Sequence, residues 1–232
     1  MKWRSLEESG EYADLRPLRE IFAERKALIA KYVPAETRAV HECVVSDLKN
    51  SGIADRILKP GAKAPEFVLP DRNKKMVSSA EILSKSALVV CFIRGRWCPF
   101  CVGQMEAMNF IVPQIREAGA DLVAISPQTV QQSFFMADQH KLRFPLLSDA
   151  HNDVAREFGL VYRVPDEQQA LYRRTFVNLP FANGDDSWEL PIPATFILDR
   201  EGAVVYSSAN PDYSERPEPL EILSRLEHTH RA

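Results

Sequence analysis

The chain lacks most of the signals that mark a cofactor carrier. It has 9 glycines in 232 residues and no glycine-rich phosphate loop, since Gly95 stands alone. No haem, flavin, nucleotide or metal motif is visible, so no cofactor is expected. The five histidines, His41, His140, His151, His228 and His230, form no pair with ligand spacing, and structural zinc needs four ligands. There is no basic stripe, and the net charge is −3, which argues against nucleic acid as a partner. No apolar run is long enough to span a bilayer. The first eight residues, Met1 to Glu8, lack the apolar core of a signal peptide, so a cytoplasmic location is expected. Cysteines number only 4, too few for a disulfide scaffold in a chain this long. A transient, catalytic disulfide fits better.

What is present is concentrated in one stretch, Arg94-Gly95-Arg96-Trp97-Cys98-Pro99-Phe100-Cys101. It follows the apolar run Ala87 to Ile93, which reads as a strand buried on both faces. A helical pattern of Met105, Met108, Ile111 and Val112 comes next. A Cys-x-x-Cys pair therefore sits where a buried strand hands over to a helix. The first turn of a helix leaves N–H groups unpaired and carries roughly half a positive charge. A thiol there is drawn from a pKa of about 8.5 into a range of roughly 3.5 to 7.5. Arg94 and Arg96 would add positive charge. Pro99 suits an early helical position, where its missing N–H costs nothing. Cysteines three apart in a first turn are close enough to bridge.

Around this stretch the chain reads as α/β. Residues 1–57 are expected to be all helix, with Leu15, Leu18, Phe22 and Ile29 on one stripe and Val40, Cys43, Val44 and Leu48 on another. Cys43 reads as a small buried hydrophobe. This extension carries no visible chemistry; its stripes suit packing on the body or forming a homodimer. Residues 58–232 then alternate. Strands are expected at Phe67–Leu69, Ala87–Ile93, Asp121–Ser126, Phe144–Ser148, Leu160–Val164, Thr195–Leu198 and Ala203–Ser208. Ser78 and Thr129 open capping boxes, and Asn152 is expected to cap a short helix. A polar helix runs from Asp166 to about Phe176, a loop over Ala182–Ser187, and a last amphipathic helix over Glu218–Leu226.

The combination of a strand, Trp-Cys-Pro-x-Cys, a long helix and Ile192-Pro193-Ala194-Thr195 entering a strand resembles the thioredoxin fold. Pro60 to Phe67, Ala124-Ile125-Ser126-Pro127-Gln128, Leu147-Ser148-Asp149, Phe158-Gly159-Leu160 and Pro193 to Asp199 extend that likeness to the peroxiredoxin-like redoxin group (AhpC/TSA). The resemblance covers residues 58 to about 215. It implies a central mixed sheet flanked by helices, here with an N-terminal helical extension. It also implies that Pro193 is a cis-proline facing the cysteine pair. The chain departs from the group's Pro-x-x-x-Thr/Ser-x-x-Cys motif. Counted back from Cys98, the Thr and Pro positions hold Gly95 and Cys91; from Cys101, they hold Cys98 and Arg94. The arginine the group places on a late strand is absent from Pro191-Ile192-Pro193, leaving Arg94, Arg96 or Arg216 to replace it.

The reading is therefore a thiol-dependent peroxidase cycling through a Cys98–Cys101 disulfide, its substrate a hydrogen or alkyl hydroperoxide. The resemblance implies a dithiol protein such as thioredoxin or glutaredoxin as reductant. Alternatives are a thiol–disulfide oxidoreductase acting on protein disulfides and a non-enzymatic redox sensor. Cys98 is expected to attack, because it ends the loop where solvent reaches it. Cys101, one turn in, would be raised by desolvation. Arg94, Arg96, Trp97, Pro99 and Pro193 are the expected supporting residues.

Overall fold

The structure is a computed structural model that describes residues 16–175 and 177–229. Leu15, Phe176 and His230 lie outside the described residues. The chain opens with three helices, α1 (Leu18–Tyr32), α2 (Ala35–Asn50) and α3 (Ile53–Arg56). A small hairpin follows, β1 (Val68–Pro70) and β2 (Met76–Ser78), then α4 (Ser79–Leu83). The strand before the cysteines is β3 (Ala87–Phe92), and the helix after it is α5 (Pro99–Glu117). Next come β4 (Ala120–Ser126), α6 (Val130–Gln139), β5 (Leu146–Ser148), α7 (Asp153–Glu157) and β6 (Val161–Arg163). The last third holds α8 (Asp166–Arg174), α9 (Leu179–Asn183), β7 (Glu189–Pro191), β8 (Ala194–Leu198), β9 (Val204–Ala209) and α10 (Pro219–Thr229).

The main sheet runs β5-β4-β3-β8-β9. β3 is parallel to β4 and antiparallel to β8, so the central strand joins a parallel half to an antiparallel half. Every residue of β3 is buried, its Leu, Val and Phe side chains each contributing roughly 1.5–3 kcal/mol by leaving water. Its alternation splits the core in two. Val89, Cys91 and Ile93 join α1, α5 and α10 on one face. Leu88, Val90 and Phe92 join Ile53, Phe158 and Phe196 on the other. β6 and β7 form a separate ribbon, Val161 opposite Pro191, which brings Trp188 and Leu190 into a third cluster with Tyr172.

The N-terminal helices are packed, not appended. Leu18 and Phe22 enter the α5 core, and Phe22 meets Phe100 edge-on at 5.1 Å. α1 can lie this close because α5 presents Gly103; a Cβ there would come within 2.9 Å of the Phe22 ring. Pro17 offers no capping side chain to α1. Instead the Leu18 and Arg19 N–H groups donate to the Glu218 carboxylate at 2.8 and 2.9 Å, so α1 is capped from the far end of the chain.

Four expectations change. Cys43 is exposed on α2, its Sγ 3.6 Å from Asp47 Oδ2. The inward stripe is Val40, Val44 and Leu48 at strict four-residue steps, and Cys43 falls off it. Asn152 does not cap α7 with its side chain, which reaches Glu189 O; the cap is Asp149, whose carboxylate accepts from Val154 and Ala155 N–H. Ala182 and Asn183 belong to α9, capped by Asn178, rather than to a loop. Finally, the Ile192–Pro193 bond is trans, since no described peptide bond is cis. Ile192 N–H donates to Leu160 O and the β3–β8 ladder begins at Ala194, so Pro193 occupies a buried gap where no donor is needed.

Candidate active site

Cys98 ends the loop after β3 and is the N-cap residue of α5; Pro99 and Phe100 begin the helix and Cys101 lies in its first turn. The loop is held by three contacts. Cys98 N–H donates to Gly95 O at 3.1 Å, Arg96 N–H to Gln128 Oε1 at 2.7 Å, and Ile93 N–H to Ile125 O at 2.9 Å. Gly95 has φ +143, and a Cβ there would sit 2.8 Å from Trp97 Nε1. Only glycine lets the chain turn here beneath the indole.

Both sulfurs are buried, Cys98 at 1% and Cys101 at 0% exposure. The solvent access expected for Cys98 is not found. Cys98 does line a cavity, described below, and Cys101 does not. The charge-stabilising contacts converge on Cys101. Arg94 N–H lies 3.4 Å from its Sγ and Arg216 Nη2 3.7 Å. Burial opposes ionisation of both thiols. At Cys101 it is outweighed by a hydrogen bond from Cys98, by the Arg216 and Arg94 charges and by the Arg94 N–H, which together bring the thiol down to about 5. At Cys98 burial acts with that same hydrogen bond and the neighbouring negative sulfur, and the thiol is pushed well up. The pair thus shares one proton, and its negative charge rests on Cys101.

The arginines divide. Arg94 is 3% exposed and stays charged. Its Nη2 donates to Tyr172 Oη at 2.8 Å, and its guanidinium carbon lies 4.7 Å from the Trp97 ring and 4.3 Å from the Tyr213 ring. Its Nε and Nη1 are buried without a hydrogen-bond partner. Arg96 turns away, donating to Gln132 Oε1 at 3.0 Å with Phe135 beside it. Arg216, from the loop before α10, is aimed by its own network. Its Nε donates to Gln104 Oε1 at 2.9 Å, and Gln104 Nε2 donates to Thr195 Oγ1 at 3.1 Å. Trp97 stacks edge-on to Tyr172 at 5.4 Å. Pro99 O accepts from Arg25 Nη1 of α1. Pro193 is buried between β7 and β8 and does not line the cavity.

Several residues around the sulfurs went unread in the sequence: Tyr172, Tyr213, Gln104, Thr195 and, on α2, His41. Gln104 alone left a trace, as a polar residue one turn beyond Cys101 on the inward face of α5. His41 is brought down to about 4, by burial first and then by the Arg94 charge, and its Nδ1 lies 2.9 Å from Gln168 Nε2. Among the described residues no group of three or more His, Cys, Asp or Glu is placed to hold a metal ion.

A buried dithiol at the start of the helix after the central strand of a mixed sheet defines a thioredoxin-fold oxidoreductase. The chain belongs to the AhpC/TSA family, whose model matches residues 60–207. It is 28% identical over 204 residues to peroxiredoxin Q, chloroplastic, of Oryza sativa subsp. japonica, a match covering 87% of this chain and 82% of the relative. It is 21% identical over 146 residues to the thiol-disulfide oxidoreductase ResA of Bacillus thuringiensis, covering 62% and 66%. Among solved structures, peroxidoxin BcpB of Mycobacterium tuberculosis superposes with a TM-score of 0.57 at 22% identity, over 74% of this chain and 97% of that one. That likeness supports the fold. No helix among the described residues is long and apolar enough to cross a membrane.

Proposed function

We propose that this protein is a thiol peroxidase in which Cys101 attacks and Cys98 resolves. The observation that carries the assignment is the convergence of Arg94 N–H and Arg216 Nη2 on the Cys101 sulfur. It reverses the order expected from the sequence, which rested on solvent access to Cys98 and on a desolvated Cys101. The Cys101 thiolate takes the terminal oxygen of the hydroperoxide. The O–O bond breaks, the leaving oxygen picks up a proton to give an alcohol or water, and Cys101 becomes a sulfenic acid. Cys98 sulfur then bonds to Cys101 sulfur and expels hydroxide, which is protonated to water. A reducing dithiol of the thioredoxin or glutaredoxin type restores the pair by exchange. Cys98 fills the position of the hydroxyl in the family motif when counted from Cys101, and its S–H donates to the attacking sulfur in the same place. Arg94 brings two unpartnered nitrogens, Nε and Nη1, to the oxygen that gains charge.

Cavity access favours the opposite order, because Cys98 and not Cys101 lines the cavity. Sulfenic acid trapping with a dimedone reagent separates the two. Cys98→Ser should be labelled on residue 101 after one equivalent of peroxide, and Cys101→Ser should stay unlabelled on residue 98. The opposite pattern would return the attack to Cys98. If neither variant differs from the parent in peroxide reactivity, the cysteine peroxidase reading fails.

A further inference from the structure

The cavity beside the sulfurs holds about 590 Å³. That is far more than hydrogen peroxide needs, given that a water molecule takes about 30 Å³ in the liquid. It falls within the range of organic-ligand sites, about 300–1,000 Å³. Its inner wall is the catalytic loop, with Arg94, Trp97, Cys98 and Phe100. Its outer wall is α1 and α2, through Ile29, Val33, Arg38, His41 and Val45. Tyr172 and Tyr213 line it as well. Trp97, Phe100, Tyr172 and Tyr213 give it an aromatic side and Ile29, Val33 and Val45 an aliphatic one, which suits a flat or branched hydrocarbon body.

The charges are uneven in their commitments. Lys26 is held by Glu215 at 2.6 Å. Asp212 accepts from Ser214 N–H and hydroxyl at 3.0 and 2.5 Å. Glu42, one turn on from Arg38, lines the cavity at its exposed rim. His41 is neutral at working pH. Two guanidiniums keep unpartnered nitrogens, Arg94 beyond its bond to Tyr172. Arg94 is nine-tenths buried or more, with Nε and Nη1 unpartnered, and Arg38 on the α2 wall has a buried, unpartnered Nε. An arginine Nε with a neighbouring Nη is the fork that takes a carboxylate.

We propose that this cavity binds an organic hydroperoxide that also carries a carboxylate, with the O–O group at Arg94 and the cysteine pair, the apolar body along the rings, and the carboxylate on Arg38. The N-terminal helices thereby choose the substrate. This rests on the thiol-peroxidase reading, so the test has one arm that needs no chemistry.

In that arm the full-length Cys98→Ser/Cys101→Ser protein is titrated calorimetrically with carboxy-substituted cumyl alcohol, the product analogue, and with its methyl ester. The acid should bind at least tenfold tighter than the ester, and Arg38→Gln should abolish the difference. In the kinetic arm the reduced parent protein is given hydrogen peroxide, cumene hydroperoxide, and its carboxy-substituted form as acid and as methyl ester. The acid should show the highest kcat/KM. Arg38→Gln should cost it about tenfold, chiefly in KM, and leave hydrogen peroxide unchanged. Val45→Trp, which fills the α2 wall, should slow the cumyl substrates and spare hydrogen peroxide. Equal binding of acid and ester, or an Arg38→Gln protein that treats all four peroxides as the parent does, would overturn the proposal while leaving the peroxidase reading intact. Tight binding of the acid with no peroxide reduced would overturn the peroxidase reading and the hydroperoxide substrate with it.

Discussion

Two cysteines ten residues apart, both fully buried, have opposite chemistry. Cys91, at the end of β3, is pushed up to about 12, chiefly by burial, with a hydrogen bond to Thr195 and the more distant Arg216 charge pulling weakly the other way. Cys101, in the first turn of α5, is as deeply buried and comes down to about 5. Both face the same helical layer, and Thr195 is near both, directly at 3.7 Å from Cys91 and through Gln104 and Arg216 for Cys101. Desolvation is therefore common to the two and decides nothing between them. The difference lies in whether the chain turns an N–H, a partner thiol and a guanidinium toward the sulfur. β3 has spent its N–H groups on the sheet. The loop after it has Arg94 N–H free to point at Cys101.

The comparison breaks most sharply on removing each sulfur. Cys101→Ala should abolish peroxide turnover, whereas Cys91→Ala should retain it and lose only about 1 kcal/mol of stability from the small void, measured by urea unfolding of the reduced protein. A smaller effect is expected from the cation that faces the leaving oxygen. Arg94→Gln should lower the second-order rate with hydrogen peroxide by about 10²-fold in stopped-flow fluorescence, the size usual for one charge-stabilising donor. The smallest concerns pH. Alkylation of the reduced protein by iodoacetamide should rise with pH through a midpoint near 5, set by Cys101, because the thiolate is the reacting form and is present above that value. Arg216→Gln removes one opposite charge and should move the midpoint up by about one unit. A midpoint that stays near the ordinary thiol value in the parent would mean the two cysteines do not differ as described.

What could be read in the sequence follows from how local the cause is. β3, α5 and the helix-starting dithiol are written in adjacent residues, an apolar run and a motif; of the two expected capping boxes the N-cap half formed in each, Ser78 and Thr129 accepting from Glu81 and Gln132 N–H, while Thr129 N–H donates to Ala182 O and Gln132 Oε1 accepts from Arg96. β2 and β7 were missed because Met76-Val77-Ser78 and Glu189-Leu190-Pro191 hold no apolar run, whereas their three-residue partners β1 and β6 adjoin the runs Phe67-Val68-Leu69 and Leu160-Val161-Tyr162. Cys43 was misplaced by one position on a helix face. The cis-proline was carried over from a resemblance rather than from anything in these residues, and the trans bond at Ile192–Pro193 is compatible with the same fold. The reach of Arg38 and His41 to the site could not be read at all, and Arg216 was legible only as one of three arginines able to fill the position the family's arginine leaves empty. They come from helices and loops roughly 60 residues before and more than 100 after the dithiol, and the close fit of α1 on Gly103 and the Glu218 cap help bring those parts together.

Arg94 and Arg216 face the sulfur pair, and among the described residues no carboxylate is hydrogen-bonded to either. In the reduced protein the Cys101 thiolate answers their charge. Closing the disulfide makes both sulfurs neutral and leaves two cations, one of them fully buried, without that counter-charge. In the proposed cycle electrostatics would then favour the reduced couple, as in any dithiol whose thiolate is stabilised by its surroundings, and the disulfide would be a strong oxidant. Such a poise would make the return half of the proposed cycle downhill for ordinary dithiols, leaving the energy of the O–O bond to drive the protein into the form that its own arginines disfavour.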